Sequence, residues 1–403
     1  MVFLLGRDRV TGHAPRVPAG ARLSASTDSS EEYMGAYIAG ERVGWMSTIT
    51  THNGDGWITR QSGEIRFRLQ GNEKKIETAS TAETDKNYLL RAFEIRITAD
   101  GIEMSASGTV SGSKVKATIV MGGETREIEI PVKKDPQVDL SMDRYLSAKG
   151  AKAGDSFDLE VFDPQSLSML PVKVDVIGIE KIKVMDVDVE ATHLRRKVGG
   201  AFFDAWIDQS GRTLMEQGPL GITLVMENQA EGRRRGIKTG KDLIDAASIK
   251  SAKEIPYPES LAMMKMLISG VDLKPFDLAG GRQQFSNGVL IVTREDRSAL
   301  KVVPIPVGDP SMAKFLAGST FIESESPEIR KAALQAIGGS VSLPEAAFRL
   351  NQWLFRTLRK KNVAGIPDAL STLKSGEGDC NEHSYLFVAM ARSVGIPARV
   401  NVG

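Results

Sequence analysis

The sequence predicts an α+β protein in which a large antiparallel β region is followed by a mainly helical region. Between residues 33 and 227, short runs of alternating apolar and polar residues are separated by turn residues, the pattern of antiparallel strands with one face in water. From residue 312 onward, apolar residues recur at helical spacing instead. Roughly ten or more strands are too many for a small sheet, so we expect either one large curved sheet or two packed β repeats.

Changes of composition along the chain predict five segments. Residues 1–30 are rich in Gly, Pro, Ser and Thr, which is typical of a tail or linker. We expect an antiparallel β domain over residues 31–135, and a second β domain or a continuation of the first over residues 136–230. A mixed linker region is expected over residues 231–310 and a helical domain over residues 311–403.

Local patterns predict individual elements within these segments. The turn Ala39-Gly40-Glu41 between two β-like runs predicts a hairpin, and Met142 begins a short helical pattern that interrupts the strands. Residues 260–269 are moderately helical, and residues 327–337 predict a helix that ends at two glycines. Ser342 and Glu345 have the spacing of a capping box at the start of the next helix.

Charge and hydropathy exclude several classes of partner. The formal net charge of +1 gives no global field that would attract nucleic acid or anionic lipid. The basic run Arg233-Arg234-Arg235 lacks interleaved aromatic residues, so we interpret it as a solvated linker and expect no nucleic-acid partner. No apolar run approaches the ~20 residues of a membrane span, so no transmembrane segment is expected.

The only cysteine, Cys380, stands where a glycine-rich loop meets a helical pattern. A single cysteine excludes an intrachain disulfide and the usual Cys-based zinc site, and we expect neither a metal nor a cofactor. Asp379 is a good N-cap, and Glu382 completes a capping-box spacing. Because N–H groups at a helix start carry partial positive charge, we expect the thiol pKa to be lowered. The alternative, a small buried apolar cysteine, stays open on the residues alone.

The residues around Cys380 form a more specific pattern than the helix start alone. The run Gly-Asp-Cys-Asn-Glu-His at residues 378–383 is followed by an apolar helix and by Gly-Ile-Pro-Ala-Arg at residues 395–399. This pattern resembles the nucleophile segment of the transglutaminase-like superfamily, and is most similar to its bacterial, papain-like members. The resemblance implies a papain-like transglutaminase core fragment with Cys380 as the catalytic nucleophile and a strand over residues 396–400. Candidate residues lining the site are Asp379, Asn381, His383 and Trp353.

In the resembling family, the catalytic histidine lies on a strand well downstream of the cysteine, and an aspartate follows on the next strand. The sequence ends at Gly403, so we expect a fragment that lacks both residues and is inactive by itself. His383, one helical turn after Cys380, is poorly aimed at the thiol and is expected to orient the loop or line the cleft. His13, His52 and His193 are expected to have surface or structural roles.

Two functions from different classes follow. The first is a transglutaminase-like cysteine hydrolase or acyltransferase, a protease or amidase rather than a cross-linker, acting on a protein or peptide substrate through a thioester. The alternative is a non-catalytic binding or assembly protein of the bacterial cell envelope, in which the β region meets an envelope partner or lipid and the cysteine segment is a degenerate scaffold. We expect location in the periplasm or cell envelope with a signal peptide removed, the alternative being the cytoplasm, because the apolar run after Met1 is too short for a signal peptide.

Overall fold

The computed structural model describes residues 29–69, 71–99, 102–121, 124–132, 136–198, 201–234, 242–243, 245, 248, 255–270, 272–274, 276–295, 302–361 and 367–401. These residues fall into two compact units, the β unit (29–245) and the C-terminal unit (248–401). Residues 1–28 of the predicted tail (1–30) lie outside the described residues, as do most of residues 235–254 in the predicted linker region (231–310).

The β unit contains one sheet of fifteen strands in the order β8-β7-β6-β5-β4-β3-β2-β1-β15-β14-β13-β12-β11-β10-β9. The strands are β1 Ser29–Ile38, β2 Glu41–Asn53, β3 Gly56–Leu69, β4 Asn72–Asp85, β5 Leu90–Ala99, β6 Ile102–Ser111, β7 Lys114–Met121, β8 Glu124–Pro131, β9 Gln137–Val138, β10 Ser156–Asp163, β11 Ser168–Val184, β12 Val187–Val198, β13 Ala201–Ile207, β14 Thr213–Gln217 and β15 Ile222–Glu227. Neighbours pair antiparallel, except that β9 runs parallel to β10. The predicted α+β class with a large antiparallel region is confirmed.

Two-residue turns build much of this sheet. Ala39 (φ 50°) and Gly40 (φ 79°) join β1 to β2 as the sequence predicts, and their positive φ values give the backbone twist that hairpin strands need. β1 begins at Ser29, inside the segment predicted as a tail, because Ser29 is already paired with Thr51 of β2.

A long-range pair joins the two halves of the sheet. β1 pairs antiparallel with β15, so that Tyr33 stands opposite Glu227. The buried carboxylate of Glu227 accepts hydrogen bonds from the Tyr37 hydroxyl (2.7 Å) and from Nε (3.0 Å) and Nη2 (2.9 Å) of Arg42. A Cβ at Gly35 would lie 2.1 Å from Oε1 of Glu227, so only glycine fits beside this buried ion pair.

The sheet bends around the helix α1, Asp139–Ala148. Met142 and Leu146 of α1 pack against the apolar face of β10 to β13. The rings of Phe93 on β5 and Phe162 on β10 lie 5.0 Å apart, although these strands are distant in the strand order. Of the two predicted alternatives, the structure therefore has one large curved sheet. The short helix α2, Gln229–Gly232, follows β15.

The C-terminal unit combines a small sheet with four helices. The strands β16 Met263–Leu267, β17 Gln283–Ser286 and β18 Val289–Thr293 form a three-stranded antiparallel sheet. The helices are α3 Pro327–Ile337, α4 Leu343–Thr357, α5 Ala369–Ser375 and α6 Cys380–Ser393, and β19 Arg359–Lys360 pairs parallel with β20 Glu377–Gly378. Among the described residues of this unit, Pro258–Ser260 and Pro310–Phe315 form 3-10 turns, and Pro219–Gly221 forms one in the β unit.

Some predictions for this unit are wrong. Residues 260–269 contain strand β16 rather than a helix, because pairing with β18 overrides the helix propensity of Met, Lys and Leu. Residues 396–400 follow α6 as irregular chain and not as a strand; the N–H of Ala398 bonds to the carbonyl of Phe315. Ser342 is the N-cap of α4, but among the described contacts its side chain makes no capping hydrogen bond.

The core of the helical region surrounds α6. Leu386, Ala389, Met390 and Ala391 of this helix are fully buried against α3, α4 and α5. The middle of α6, Leu386 to Ala391, is therefore held inside the domain, whereas its polar first turn reaches the surface. No helix in the described part of the chain combines the length and apolar character needed to cross a membrane.

Candidate active site

Cys380 is the first residue of α6, and Asp379 before it and Glu382 after it form a complete capping box. The Asp379 carboxylate accepts a hydrogen bond from the N–H of Asn381 (3.0 Å), while Oε2 of Glu382 accepts one from the N–H of Asp379 (2.9 Å). These bonds satisfy N–H groups that a helix start leaves without intrahelical partners. The predicted capping of this helix is therefore found.

The loop before Cys380 is tied to the end of α4. Glu377 forms ion pairs with Arg359 and with Lys361 (2.6 Å). The N–H of Lys361 also bonds to the carbonyl of Gly378 at 3.1 Å. A Cβ at Gly378 would lie 2.4 Å from Cβ of Glu382, so the loop can pass this close to the helix only with glycine. Arg359 and Lys361, which follow the end of α4, thus hold the loop that leads to the cysteine.

The Cys380 thiol is exposed, which argues against a buried structural cysteine. Although the residue meets solvent, neighbouring atoms partly shield its sulfur. This burial, and after it the negative charge of Asp379, raises the pKa of the Cys380 thiol, and Glu382 adds to the effect. The predicted lowering of the pKa is wrong, because the backbone N–H groups of the helix start are outweighed by burial and by the two carboxylates that cap the same helix.

The imidazole of His383 is anchored to the N-cap of α6. Its Nδ1 lies 2.6 Å from the carbonyl oxygen of Asp379. A carbonyl oxygen only accepts hydrogen bonds, so Nδ1 carries a proton and donates it to this contact. This contact fits the predicted role of orienting the loop, and the role in lining a cleft stays a prediction.

The other candidate residues differ in their surroundings. Asn381 is exposed beside Cys380 in the first turn of α6. Trp353 is half-buried on α4 and packs against the core around α6. Asp379, Asn381 and His383 therefore lie close to the cysteine because all of them belong to the start of α6. Trp353, in contrast, packs as a core residue.

His193 has charged partners that sequence reasoning missed. Its Nδ1 lies 2.9 Å from Glu180 and its Nε2 lies 2.8 Å from Asp204, with the ring stacked on Trp206 at 4.5 Å between centroids. Both ring nitrogens are occupied, which suits a structural ion network and leaves no lone pair for a base or a metal. The partners come from neighbouring strands, so no local motif signalled them.

No group of three or more His, Cys, Asp or Glu side chains within the described ranges is arranged to hold a metal ion. His52, the remaining described histidine, lies edge-on to Trp57 with 4.9 Å between ring centroids. His13 lies outside the described residues.

Comparison with known proteins relates one segment of the chain to a known family. No curated protein matches the sequence. Among solved structures, the chain is similar to a β-barrel-like protein of a domain of unknown function, DUF1849, from Brucella abortus, with 10% identity, TM-score 0.38, and coverage of 50% of this chain and 95% of that one. It is also similar to a DUF1089 family protein from Pseudomonas aeruginosa, with 10% identity, TM-score 0.27, and coverage of 49% and 95%.

A third similar structure is described as that of a cysteine protease from Cytophaga hutchinsonii, with 20% identity and TM-score 0.23; the match covers 27% of this chain and 39% of that one. Residues 331–403 match the family model of the transglutaminase-like superfamily. This range contains α4, α5 and the whole of α6 with Cys380 at its start. The C-terminal segment of this chain is therefore transglutaminase-like.

Proposed function

We propose that this chain carries the nucleophile of a cysteine hydrolase or acyltransferase that acts on peptide or carboxamide bonds. The observation that carries the proposal is the exposed thiol of Cys380 at the capped start of α6, within the segment that matches the transglutaminase-like superfamily. A thiol at the N-terminus of a buried helix is held rigidly, and the adjacent backbone N–H groups can stabilise an oxyanion.

The chemistry follows the general course of thiol acyl transfer. Cys380 gives its proton to a base, and the thiolate attacks the carbonyl carbon of the amide. The C–N bond then breaks, and the amine leaves with the proton returned by the base, so that a thioester remains on Sγ. Water hydrolyses the thioester to the acid and restores the thiol; attack by an amine would transfer the acyl group instead. We favour hydrolysis of a protein or peptide amide, as in a cysteine protease or amidase.

The base in this proposal is a residue other than His383. The Nδ1 of His383 is committed to the Asp379 carbonyl, and the ring lies one turn along the same helix as the thiol. The charged side chains that shift the pKa of Cys380 are Asp379 and Glu382, and both are acidic. An amide is a poor acyl donor and needs both thiolate and general acid, so we propose that the chain by itself does not turn over amides.

A paired assay tests this proposal. The purified chain is offered an activated ester, p-nitrophenyl acetate, and separately a peptide amide, with Cys380→Ala as the control. We expect acetylation of the chain at Cys380, located by peptide mass spectrometry, and no amide turnover. An equal yield of acetylated protein in Cys380→Ala would remove the nucleophile from the proposal. Amide turnover abolished by Cys380→Ala would support the enzyme but overturn the inactivity of the isolated chain.

The second candidate function is binding or assembly at the bacterial cell envelope through the β unit, with the cysteine segment as a degenerate scaffold. A cavity of about 780 Å³ lies on the face of β4 to β8 and favours this alternative. It is lined by hydroxyl side chains and by Glu83, Glu94, Glu127 and Glu129, with Lys116. This acidic lining suits a cationic or hydroxyl-rich envelope partner better than an anionic lipid surface.

Localisation and partner are tested together. We propose the periplasm or envelope, with the cytoplasm as the alternative, and fractionation of cells that express a tagged chain distinguishes them. Envelope association that survives Cys380→Ala and is lost in Glu83→Lys/Glu94→Lys supports the binding function. Recovery of both proteins in the cytoplasmic fraction would exclude it.

A further inference from the structure

Glu382 is an acidic residue buried beside the thiol and unused by the proposed reaction. Only 5% of Glu382 is exposed, and its side chain lies beneath the backbone of Gly378. Its Oε2 accepts the 2.9 Å hydrogen bond from the N–H of Asp379, the residue that precedes Cys380. The carboxyl group therefore fixes the backbone on which the thiol stands, and it does so from inside the protein.

Most charged groups on the surrounding elements are already paired or engaged elsewhere. On β20, Glu377 is neutralised by Arg359 and Lys361. On α3, Arg330 donates to the carbonyl of Ser393 at the opposite end of α6, and on α4, Arg356 donates to Gln352. Lys374 is exposed near the end of α5. Within one turn of Glu382, the titratable side chains are Asp379 at the N-cap and Cys380, His383 and Tyr385 on α6 itself.

We propose that Glu382 is a positioning residue that restrains Cys380: its buried carboxyl holds the Asp379–Cys380 backbone in place and, when ionised, opposes formation of the thiolate. The inference rests on the proposed function only in that the restraint matters for a nucleophile; the charge effect on the thiol exists without it. A restraint of this kind keeps more of an exposed thiol protonated, and so makes it slower to react, until a cation such as a protonated base is placed beside it.

The ionisation of Glu382 falls in a useful pH range. Burial, together with its interaction with Asp379, raises the pKa of Glu382 to about 7. Below that pH the thiol faces the single negative charge of Asp379, and above it a second charge is added. Each increment of negative charge makes loss of the thiol proton harder, so the apparent pKa of Cys380 rises during the titration of Glu382.

The experiment is alkylation of the full chain by iodoacetamide over a pH series from mildly acidic to alkaline. The thiolate forms the S–C bond while the C–I bond breaks and iodide leaves, so the rate follows the thiolate fraction. Cys380 is the only cysteine, which makes the signal unambiguous. Glu382→Gln keeps an oxygen for the Asp379 N–H and removes the charge. We expect the midpoint to fall by about half to one pH unit. Between about pH 7, above which Glu382 is ionised in the wild type, and the midpoint, this corresponds to roughly three- to tenfold faster alkylation.

Glu345→Gln is the matched control. Glu345 also lies in the first turn of its helix, α4, but it is exposed and paired with Arg349 at 2.6 Å. Its substitution is expected to leave the midpoint unchanged. A midpoint for Glu382→Gln equal to that of the wild type, with the far-UV circular dichroism spectrum preserved, would overturn the proposal.

A second measurement covers the case in which Glu382→Gln does not fold. In the wild type, ionisation of Glu382 must flatten the rise of log rate with pH around neutrality, giving a slope below one. A slope of one throughout that range would overturn the proposal without any variant. Neither readout uses amide hydrolysis, so failure of the proposed function remains distinguishable from failure of this inference.

Discussion

The imidazole Nε2 of His193 lies 2.8 Å from a carboxylate oxygen of Asp204, and the opposite ring nitrogen lies 2.9 Å from Glu180. Burial by itself lowers the pKa of His193, but the hydrogen bonds and charges of Asp204 and Glu180 outweigh it, so that the pKa is raised. An imidazolium held between two carboxylates on adjacent strands stabilises this part of the sheet only while it keeps its proton.

Stability of the β unit is therefore expected to depend on pH through His193. Because the folded-state pKa is raised, the stabilisation is fully present below the unfolded value of about 6.5 and is lost as pH rises through the folded-state pKa. Urea unfolding, followed by tryptophan fluorescence to which Trp206 contributes, measures the free energy at each pH. Glu216, whose pKa burial raises to about 7, adds a dependence of the same sign, so the difference between the wild type and His193→Gln is the relevant quantity. A difference that stays constant across this range would contradict the prediction.

Arg42 and Glu227 are expected to be a costly pair to break. The Glu227 side chain is 2% exposed and that of Arg42 is 17% exposed, so Arg42→Met leaves a buried carboxylate with the Tyr37 hydroxyl as its remaining described partner. We expect a loss of about 3 kcal/mol in the free energy of unfolding of the β unit. Arg96→Met breaks the exposed pair with Glu103 and is expected to cost close to nothing, so equal losses in the two variants would refute the argument.

Gly378→Ala is expected to disturb the candidate site directly. The added Cβ would lie 2.4 Å from Cβ of Glu382, so either the loop or the first turn of α6 must move. We expect a loss of about 1–3 kcal/mol in stability and a changed alkylation rate at Cys380. Gly308→Ala is the control in the same unit, because a Cβ there meets no atom within 4 Å. A Gly378→Ala protein with the stability and thiol reactivity of Gly308→Ala would show that the close approach is unimportant.

Sequence patterns predicted the elements whose signals are local. The helix Pro327–Ile337 has a proline in its first turn and glycine at its end, and its observed bounds are those predicted. The start of α6 at Cys380 follows in the same way from Asp379 and Glu382. Turn and cap signals lie within a few residues of the element they bound, which is why one sequence suffices to find them.

Contacts between distant residues were not predictable in the same way. The pairing of Tyr33 with Glu227 joins the first and the last strand of the β unit, which are far apart in sequence. The partners of His193 come from two other strands. The direction of the pKa shift at Cys380 was mispredicted for a related reason. The prediction rested on the partial positive charge of the backbone at the helix start. Burial of the thiol and its distance from two carboxylates depend on the folded site.

The two helix starts that the sequence predicts as capping boxes are expected to respond differently to alanine. The Asp379 side chain accepts a backbone hydrogen bond at the start of α6, whereas that of Ser342 accepts none among the described contacts at the start of α4. Asp379→Ala is therefore expected to lower the free energy of unfolding of the C-terminal unit by about 1 kcal/mol, and Ser342→Ala by much less. Hydrogen exchange of the α6 amides, measured alongside urea unfolding, assigns the loss to this helix. Comparable losses from the two substitutions would mean that the Asp379 hydrogen bond contributes no more than an unused N-cap, and that the buried face of α6 alone holds Cys380 in position.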